Sequence, residues 1–334
     1  MKTKFFSALA IVALSLTSCS NDEVVNKSEK NQIGFDAPFV NKITRALVTS
    51  KDDITSFKVY AWVENAALLK DEGVTYADGK WTYKNTKYWV PGAKYNFAAF
   101  YPSTQDVTAS YDADSGYQAD IKFTNVDGTT DLLFASANAE GKTSGNEVVG
   151  FTFNHLLSKV KFTFKNGLVD GVLPKISDLK ITNAHSKGEL LTTWNNEANH
   201  YTWLKLSEDS DLALNFTILG DAIKSGTPIV SDELLLIPSV KDGANDVTPD
   251  NVTVEFKVEL VAVDIYGNEV TASTDNTRTI TATVKQITLK QGYAYNFVAT
   301  INDELEKIEF EVKEVNGWAE GDEANASDLT EKKE

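Results

Sequence analysis

The chain has 334 residues, 32 Lys and Arg against 48 Asp and Glu, a formal net charge of −16 and 42% hydrophobic residues. That length and apolar content support a buried core and about two domains, while an acidic chain with no basic patch repels phosphate backbones and excludes nucleic acid as a partner. One Cys and three His (His155, His185 and His200) leave no Cys/His zinc cluster and no internal disulfide. The single Cys, Cys19, sits in a targeting segment, which removes thiol catalysis, and the only Met is the initiator. The balance points to a soluble, extracytoplasmic, non-enzymatic protein that needs no cofactor.

The first element is an export signal. Met1-Lys2-Thr3-Lys4 is basic, and Phe5 to Leu16 is an apolar run of 12 residues, enough for a signal core and too short to span a bilayer. It ends in Leu16-Thr17-Ser18-Cys19, which resembles a bacterial lipobox. In such signals the Cys is acylated on its sulfur and becomes the first residue of the mature protein. No later stretch is apolar for the roughly 18 residues a spanning helix needs, so the membrane is expected to hold this chain only through lipid on Cys19. From Ser20 to Gln32 the chain is polar, a flexible tether.

Beyond the tether, apolar residues alternate with period 2, the signature of half-buried strands. Ile33, Phe35, Ala37 and Phe39 form the first such set, followed by Phe57, Val59, Ala61 and Val63. Later sets are Val160, Phe162 and Phe164, then Val252 to Leu260, Ile280 to Val284, and Ile308, Phe310 and Val312. Asp78-Gly79, Asp127-Gly128, Tyr266-Gly267-Asn268 and Gln291-Gly292 mark turns. Asn65 to Lys70 and Asp221 to Lys224 are the short segments with helical character. Many short strands between turns imply an all-β protein of antiparallel sandwiches. With no βαβ rhythm and no glycine-rich phosphate loop, nucleotide folds are excluded. A turn-rich, apolar-poor stretch at Asn138–Val148 marks a boundary. The expected plan is a signal at 1–18, a tether with a removable strand at 19–45, a sandwich at 46–145, a second at 146–318 and an acidic tail at 319–334.

Several segments together resemble the fimbrillin family, the major and minor pilin lipoproteins of Bacteroides-type bacteria. They are Ile33-Gly34-Phe35 with Ile43-Thr44-Arg45-Ala46; Phe57-Lys58-Val59-Tyr60-Ala61 with Tyr88-Trp89 and Tyr95 to Pro102; Asp131 to Ala135; Phe151 to Val160; and Gly292-Tyr293 with Val315 to Trp318. Their order runs through nearly the whole chain. Ser20-Asn21-Asp22-Glu23, just after Cys19, also resembles the surface-export signal of lipoproteins in these bacteria. The resemblance implies two tandem transthyretin-like sandwiches, exposure at the outer-membrane surface, and a structural or adhesive role in a fimbria. It further implies that an Arg-specific protease cuts in the N-terminal segment, removing the first strand, and that a strand from another subunit fills the groove by strand addition.

The residues bear on this independently. Only two Arg exist, Arg45 in an expected loop and Arg278 in or near an expected strand. A cut after Arg45 leaves a chain beginning at Ala46 and detaches the strand that carries Ile33, Phe35 and Phe39. The donor is less plain: Ile308, Phe310, Val312 and Val315 either form a donor strand or are the last strand of the second domain. In the latter case the chain accepts a strand without giving one, as suits a tip or accessory subunit.

Other chemistry is sparse. Asp112-Ala113-Asp114-Ser115-Gly116 has the look of a calcium-loop start but lacks the later acidic ligands, so no metal is expected. Trp194, Tyr201 and Trp203 flank a hairpin and either pair across strands or stack on a glycan. His155, between Phe153 and Leu156, reads as a core or interface histidine. The rival to the pilin reading is an uncut outer-membrane lipoprotein that binds glycans or anchors a fimbria. The expected partners are other fimbrial subunits, an Arg-specific protease and a host or bacterial surface receptor of unspecified kind.

Overall fold

Period-2 alternation becomes strand throughout. The computed structural model describes residues 31–36, 39–40, 54–141, 148–195, 198–241, 246–270, 277–305 and 308–316, and these residues form twenty-three strands and no α-helix.

The largest sheet has the order β2–β11–β9–β6–β3–β4–β5. Its members are β2 (Phe39–Val40), β3 (Ser56–Val63), β4 (Ala66–Ala77), β5 (Lys80–Tyr83), β6 (Lys94–Tyr101), β9 (Leu133–Glu140) and β11 (Thr152–His155). A four-stranded sheet, β15–β14–β8–β7, faces it: β7 (Asp106–Asp112), β8 (Gly116–Thr124), β14 (Lys187–Trp194) and β15 (Asn199–Leu204). A parallel pair, β1 (Gly34–Phe35) with β10 (Val148–Val149), contributes to the core on the other face. The large sheet is therefore covered on both sides. Tyr60, Trp62, Phe100 and Phe134 pack toward Ile121, Leu190, Trp194 and Trp203, whereas Phe57, Val59, Phe97 and Ala99 pack toward Ile33, Phe35, Phe151 and Phe153. Burial on both faces is why β3 and β6 read as almost unbroken apolar runs rather than strict alternation.

The second sandwich pairs a sheet of order β17–β18–β12–β22–β23, with β19 also on β12, against β16–β13–β20–β21. The first comprises β12 (Ser158–Asn166), β17 (Ile218–Leu219), β18 (Ile229–Ser231), β19 (Leu234–Leu236), β22 (Tyr293–Ile301) and β23 (Phe310–Asn316). The second comprises β13 (Val172–His185), β16 (Asp211–Asn215), β20 (Asp250–Ala262) and β21 (Thr277–Ile287). Phe162, Phe164 and Phe297 meet Ile181, Val254 and Phe256 in its core. Antiparallel pairing dominates, but β12 and β22 are parallel over eight rungs from Lys159↔Ala294 to Asn166↔Ile301. Parallel neighbours need a long crossover, and here nearly the whole second sandwich is that crossover.

Two local expectations change. Asn65 to Lys70 is not helical: Glu64 and Asn65 adopt φ of 44° and 68°, a two-residue hairpin turn, and β4 begins at Ala66. The helix-forming Ala66, Ala67, Leu68 and Leu69 yield to tertiary pairing, with Ala66 opposite Val63, Ala67 opposite Trp62 and Leu69 buried. Asp221 to Lys224 is likewise bend and bridge, tied to Pro174 by the Ile223 amide. The boundary expected at 145/146 is crossed by the sheet order, because β14 pairs with β8 from Lys187↔Thr124 to Trp194↔Tyr117. Leu235, Ile237 and Val240 also enter the first sandwich's core.

Candidate functional site: the N-terminal strand and its groove

Residues 31–35 run extended between the 87–89 segment, joined by the isolated Gln32↔Tyr88 bridge, and β10, which pairs with Gly34–Phe35. On one side the Ile33 amide donates to the Lys87 carbonyl at 2.8 Å and the Trp89 amide to the Asn31 carbonyl at 2.8 Å, while Asn31 Nδ2 donates to the Trp89 carbonyl at 2.9 Å. On the other side Gly34 and Phe35 lie beside Val148 and Val149, and the Asp36 amide reaches the Val149 carbonyl at 3.1 Å. Farther on, the Phe39–Val40 backbone pairs with Thr152–Phe153. Alternation then decides the rest: Ile33 and Phe35 point into the core and are buried. The Phe35 ring stacks on Phe151 at 5.9 Å and meets Tyr83 edge-on at 5.2 Å, with Phe57 and Phe97 each at 6.3 Å.

Tyr83 is the polar clasp of this groove, and sequence periodicity did not single it out. Its hydroxyl donates to the Ile33 carbonyl at 2.9 Å and accepts from the Lys87 amide at 2.9 Å. Burial pushes its pKa up, against the Lys87 amide, so the phenol stays a donor. A Tyr at the end of a strand, four residues before Lys87, was the available signal, but only the fold brings it over Ile33.

Of the residues expected to act here, Ile33 and Phe35 occupy the groove, while Cys19, Arg45, Ala46 and the Phe39 side chain lie outside the described residues. Arg278, the other Arg, is exposed but sits in β21 opposite Val258.

The C-terminal set is part of the second sandwich. Ile308 is buried, and β23 is the edge strand on β22, with Phe310 opposite Ala299, Val312 opposite Phe297 and the Val315 backbone opposite Ala294. The Phe310 ring meets Phe162 at 5.5 Å, Phe256 at 6.0 Å, Phe164 at 6.1 Å and Phe297 at 6.3 Å.

For the glycan alternative at Trp194, Tyr201 and Trp203, the structure shows where the three rings sit. Trp194 and Trp203 are 3% and 4% exposed. Trp194 packs against Tyr117, Trp62 and Phe134 at 6.0, 5.8 and 5.4 Å, and Trp203 Nε1 donates to the Leu156 carbonyl at 3.1 Å. Tyr201 is half-buried beside Phe134, its pKa pushed up to about 12 by burial. As cross-strand core residues, the two Trp rings offer no open face to a sugar.

Other polar clusters lie away from this groove. Asp112 Oδ1 accepts from the Asp114 and Ser115 amides at 2.9 and 2.8 Å, an Asx turn at Asp112–Gly116. His155 Nδ1 lies 2.9 Å from Asp131 Oδ2, both residues buried, as suits a core histidine. Ser239, Asp250 and His185 do meet, but in the wrong order for nucleophile activation. Ser239 Oγ donates to Asp250 Oδ2 at 2.6 Å, whereas His185 contacts Asp209 at 2.5 Å through Nδ1 and Asp250 at 3.2 Å through Nε2. A hydrolytic triad needs the imidazole between Ser and Asp. Among the described residues no helix is long and apolar enough to cross a membrane.

Comparison with known proteins agrees with this architecture. The chain is similar in fold to a fimbrial protein from Bacteroides vulgatus, with a TM-score of 0.58 at 17% identity over 86% of this chain and 100% of that one. It is also similar to a protein assigned to cell adhesion from Bacteroides ovatus, with a TM-score of 0.51 at 15% identity over 88% and 99% of the two chains. No curated protein matches it in sequence. The sequence model described as fimbrillin-like matches residues 44–318, most of the length, and spans the strands from β3 to β23. The chain belongs to the fimbrillin-like family.

Proposed function

We propose that this chain is a fimbrial subunit at the outer-membrane surface, carried there by acyl groups on Cys19 and activated by cleavage after Arg45. Cleavage detaches the segment holding Ile33 and Phe35, and an apolar strand from another subunit takes its place. The observation that carries the reading is the seat of Phe35 among four aromatic rings, joined to the rest of the domain by strand-type hydrogen bonds on both sides. Vacating it exposes the sites of Ile33 and Phe35, each worth about 1.5–3 kcal/mol of burial, together with the unpaired backbone of Lys87–Trp89 and Val148–Val149. An incoming strand with apolar residues two apart restores both terms. Arg278 is a poor competing cut site, since its backbone is held in the β20–β21 ladder.

β23 supports a terminal or accessory position. Removing it to serve a neighbour would pull Phe310 out of a four-ring cluster and uncover β22. The chain therefore reads as one that accepts a strand and keeps its own. Intact mass and N-terminal sequencing of protein taken from the cell surface test the whole scheme. A chain beginning at Ala46 without lipid is expected. A lipidated chain still beginning at Cys19 overturns strand replacement and favours the uncut anchor lipoprotein.

A further inference from the structure

The most exposed large apolar pair in the described chain is at the turn joining β20 to the segment before β21: Ile265 is 92% exposed and Tyr266 82%. They are presented on a built turn. Asp264 Oδ1 accepts from the Tyr266 and Asn268 amides at 2.8 and 2.9 Å, Asn268 Nδ2 donates to Asp264 Oδ2 at 3.1 Å, and Gly267 supplies a φ of 82°. Exposed Val169 stands alongside, on the loop that ends in Gly171, whose carbonyl takes the Val263 amide at 2.9 Å. The surroundings are acidic: Asp170, Asp221 and Asp264 lie at this end, and Glu269 is paired to Lys175. The turn sits at the end of the second sandwich remote from the first. Leu156 and Leu157 belong to the first core, and the nine residues of β12 that follow carry the chain about 30 Å away.

The first sandwich holds a surface of matching character beside the N-terminal strand. Tyr88 and Val148, both about half exposed, flank that strand through the Gln32↔Tyr88 and Gly34↔Val148 pairings, and Val90 is 57% exposed nearby. Gly34 leaves the strand bare between them, because a Cβ there would come within 3.0 Å of Val148 Cγ1. Residues 79–105 carry four Lys and no acid, and the acids beside this surface are Asp36, whose amide is on the Val149 carbonyl, and Glu64 and Glu140 next to Lys94. Lys84 and Lys87 both precede Tyr88 in the chain, and the nearby Glu72 carboxylate is spent on the Lys84 and Asn85 amides at 2.9 and 3.0 Å.

We infer that the Ile265–Tyr266 turn of one copy docks onto the Tyr88–Val90–Val148 surface of a second copy. Each surface is apolar at its centre, one has an acidic rim and the other a Lys-bearing one, and the two lie on different sandwiches. Turn-to-turn pairing would set acid against acid, and an anionic membrane would meet the same repulsion. A contact between two different surfaces does not close on itself, so it continues from copy to copy. It uses neither β23 nor an emptied groove, and it rests on the fimbrial reading only for its setting.

The test is sedimentation velocity on the uncut chain from Cys19 onward, carrying Cys19→Ser so that no acyl group contributes. Concentration-dependent oligomers that weaken with salt are expected. Ile265→Ser/Tyr266→Ser in one chain, or Tyr88→Glu in another, should weaken association about thirtyfold, as for loss of a central contact residue. All of these positions are exposed, and circular dichroism checks that each variant is folded. Mixing the two variants should restore a dimer and stop there, since one intact turn and one intact surface remain. A wild-type chain that stays monomeric, variants that associate like wild type, or a mixture that does not dimerise would each overturn the docking. A surface protein beginning at Ala46 with any of these results sinks the docking alone, and a Cys19-initiated surface protein whose variants behave as expected sinks the processing alone.

Discussion

His185 is a side chain whose protonation ties separate elements together. It closes β13 against Asp209, whose other oxygen takes the Ser186 and Lys187 amides at 3.0 and 3.1 Å, and against Asp250 at the start of β20. The hydrogen bond to Asp250, seconded by Asp209, holds the imidazole pKa above its ordinary value despite opposing burial. Burial also opposes the shift at Asp209, but the bonds from His185 and the Lys187 amide hold its pKa below the carboxylate range. The raised histidine contributes stability that is full below its unfolded pKa of about 6.5 and is lost as pH rises through the folded value. The lowered Asp209 contributes above its ordinary value and loses that contribution as pH falls through the folded one. His185→Gln should therefore cost about 2 kcal/mol in mild acid, with the gap to wild type narrowing as pH rises. Urea titrations across pH check this, and a gap that does not vary with pH would refute it. Trp194 belongs to the same scale: Trp194→Ala should cost about 3–5 kcal/mol as a core truncation. Soluble sugars should leave wild-type Trp fluorescence unchanged. The sequence narrowed the hairpin aromatics to two roles, and the burial of Trp194 and Trp203 is what favours the cross-strand role for those two.

Among elements, the N-terminal strand was the most legible, because Ile33 and Phe35 alternate in an otherwise polar approach and the same two residues fill the groove. Phe35→Ala should destabilise the uncut chain by about 3–5 kcal/mol and leave a chain already cut after Arg45 unaffected, a contrast that thermal melts of both forms would show. The β3–β4 turn was illegible for a physical reason. Helix propensity in Ala66 to Leu69 is a local term of a few tenths of a kcal/mol per residue, and it is outweighed by a paired, buried strand. Asn65 at φ 68° is the residue that permits the turn, and its side chain accepts from the Tyr117 hydroxyl at 2.8 Å. Asn65→Ala should cost about 1–2 kcal/mol from the left-handed backbone alone, measured by denaturant titration, with more if the Tyr117 bond adds to it.

At the scale of the molecule, the two sandwiches share chain. We propose that the first folding unit is completed by β14–β15, whose Leu190, Trp194 and Trp203 cover Trp62, Ile121 and Phe134. A fragment of residues 46–145 would expose that face, and it should show no cooperative unfolding. Adding the hairpin residues 187–204 as part of an intact chain restores it. A sharp, two-state transition in the short fragment would show that the hairpin is dispensable. The Asn125 side chain, donating to the Leu235 carbonyl at 3.0 Å, and the Leu235 amide, donating to Gly128 at 2.8 Å, clasp the same junction.

Period-2 alternation, Gly and Asn at the turns, and the absence of helical periodicity were enough by themselves to determine an all-β chain with an apolar first strand, because these are properties of neighbouring residues. Only the tertiary structure decided that β3 and β6 are buried on both faces, that β12 lies parallel to β22, and that β14 pairs with β8, more than sixty residues earlier in the chain. It also decided that Phe310 belongs to its own sandwich and that Trp194 and Trp203 are core. Each of these depends on which surface a strand meets across the sheet or the core. The i, i+2 pattern records that a face is apolar, and it carries no information about which distant residue covers that face.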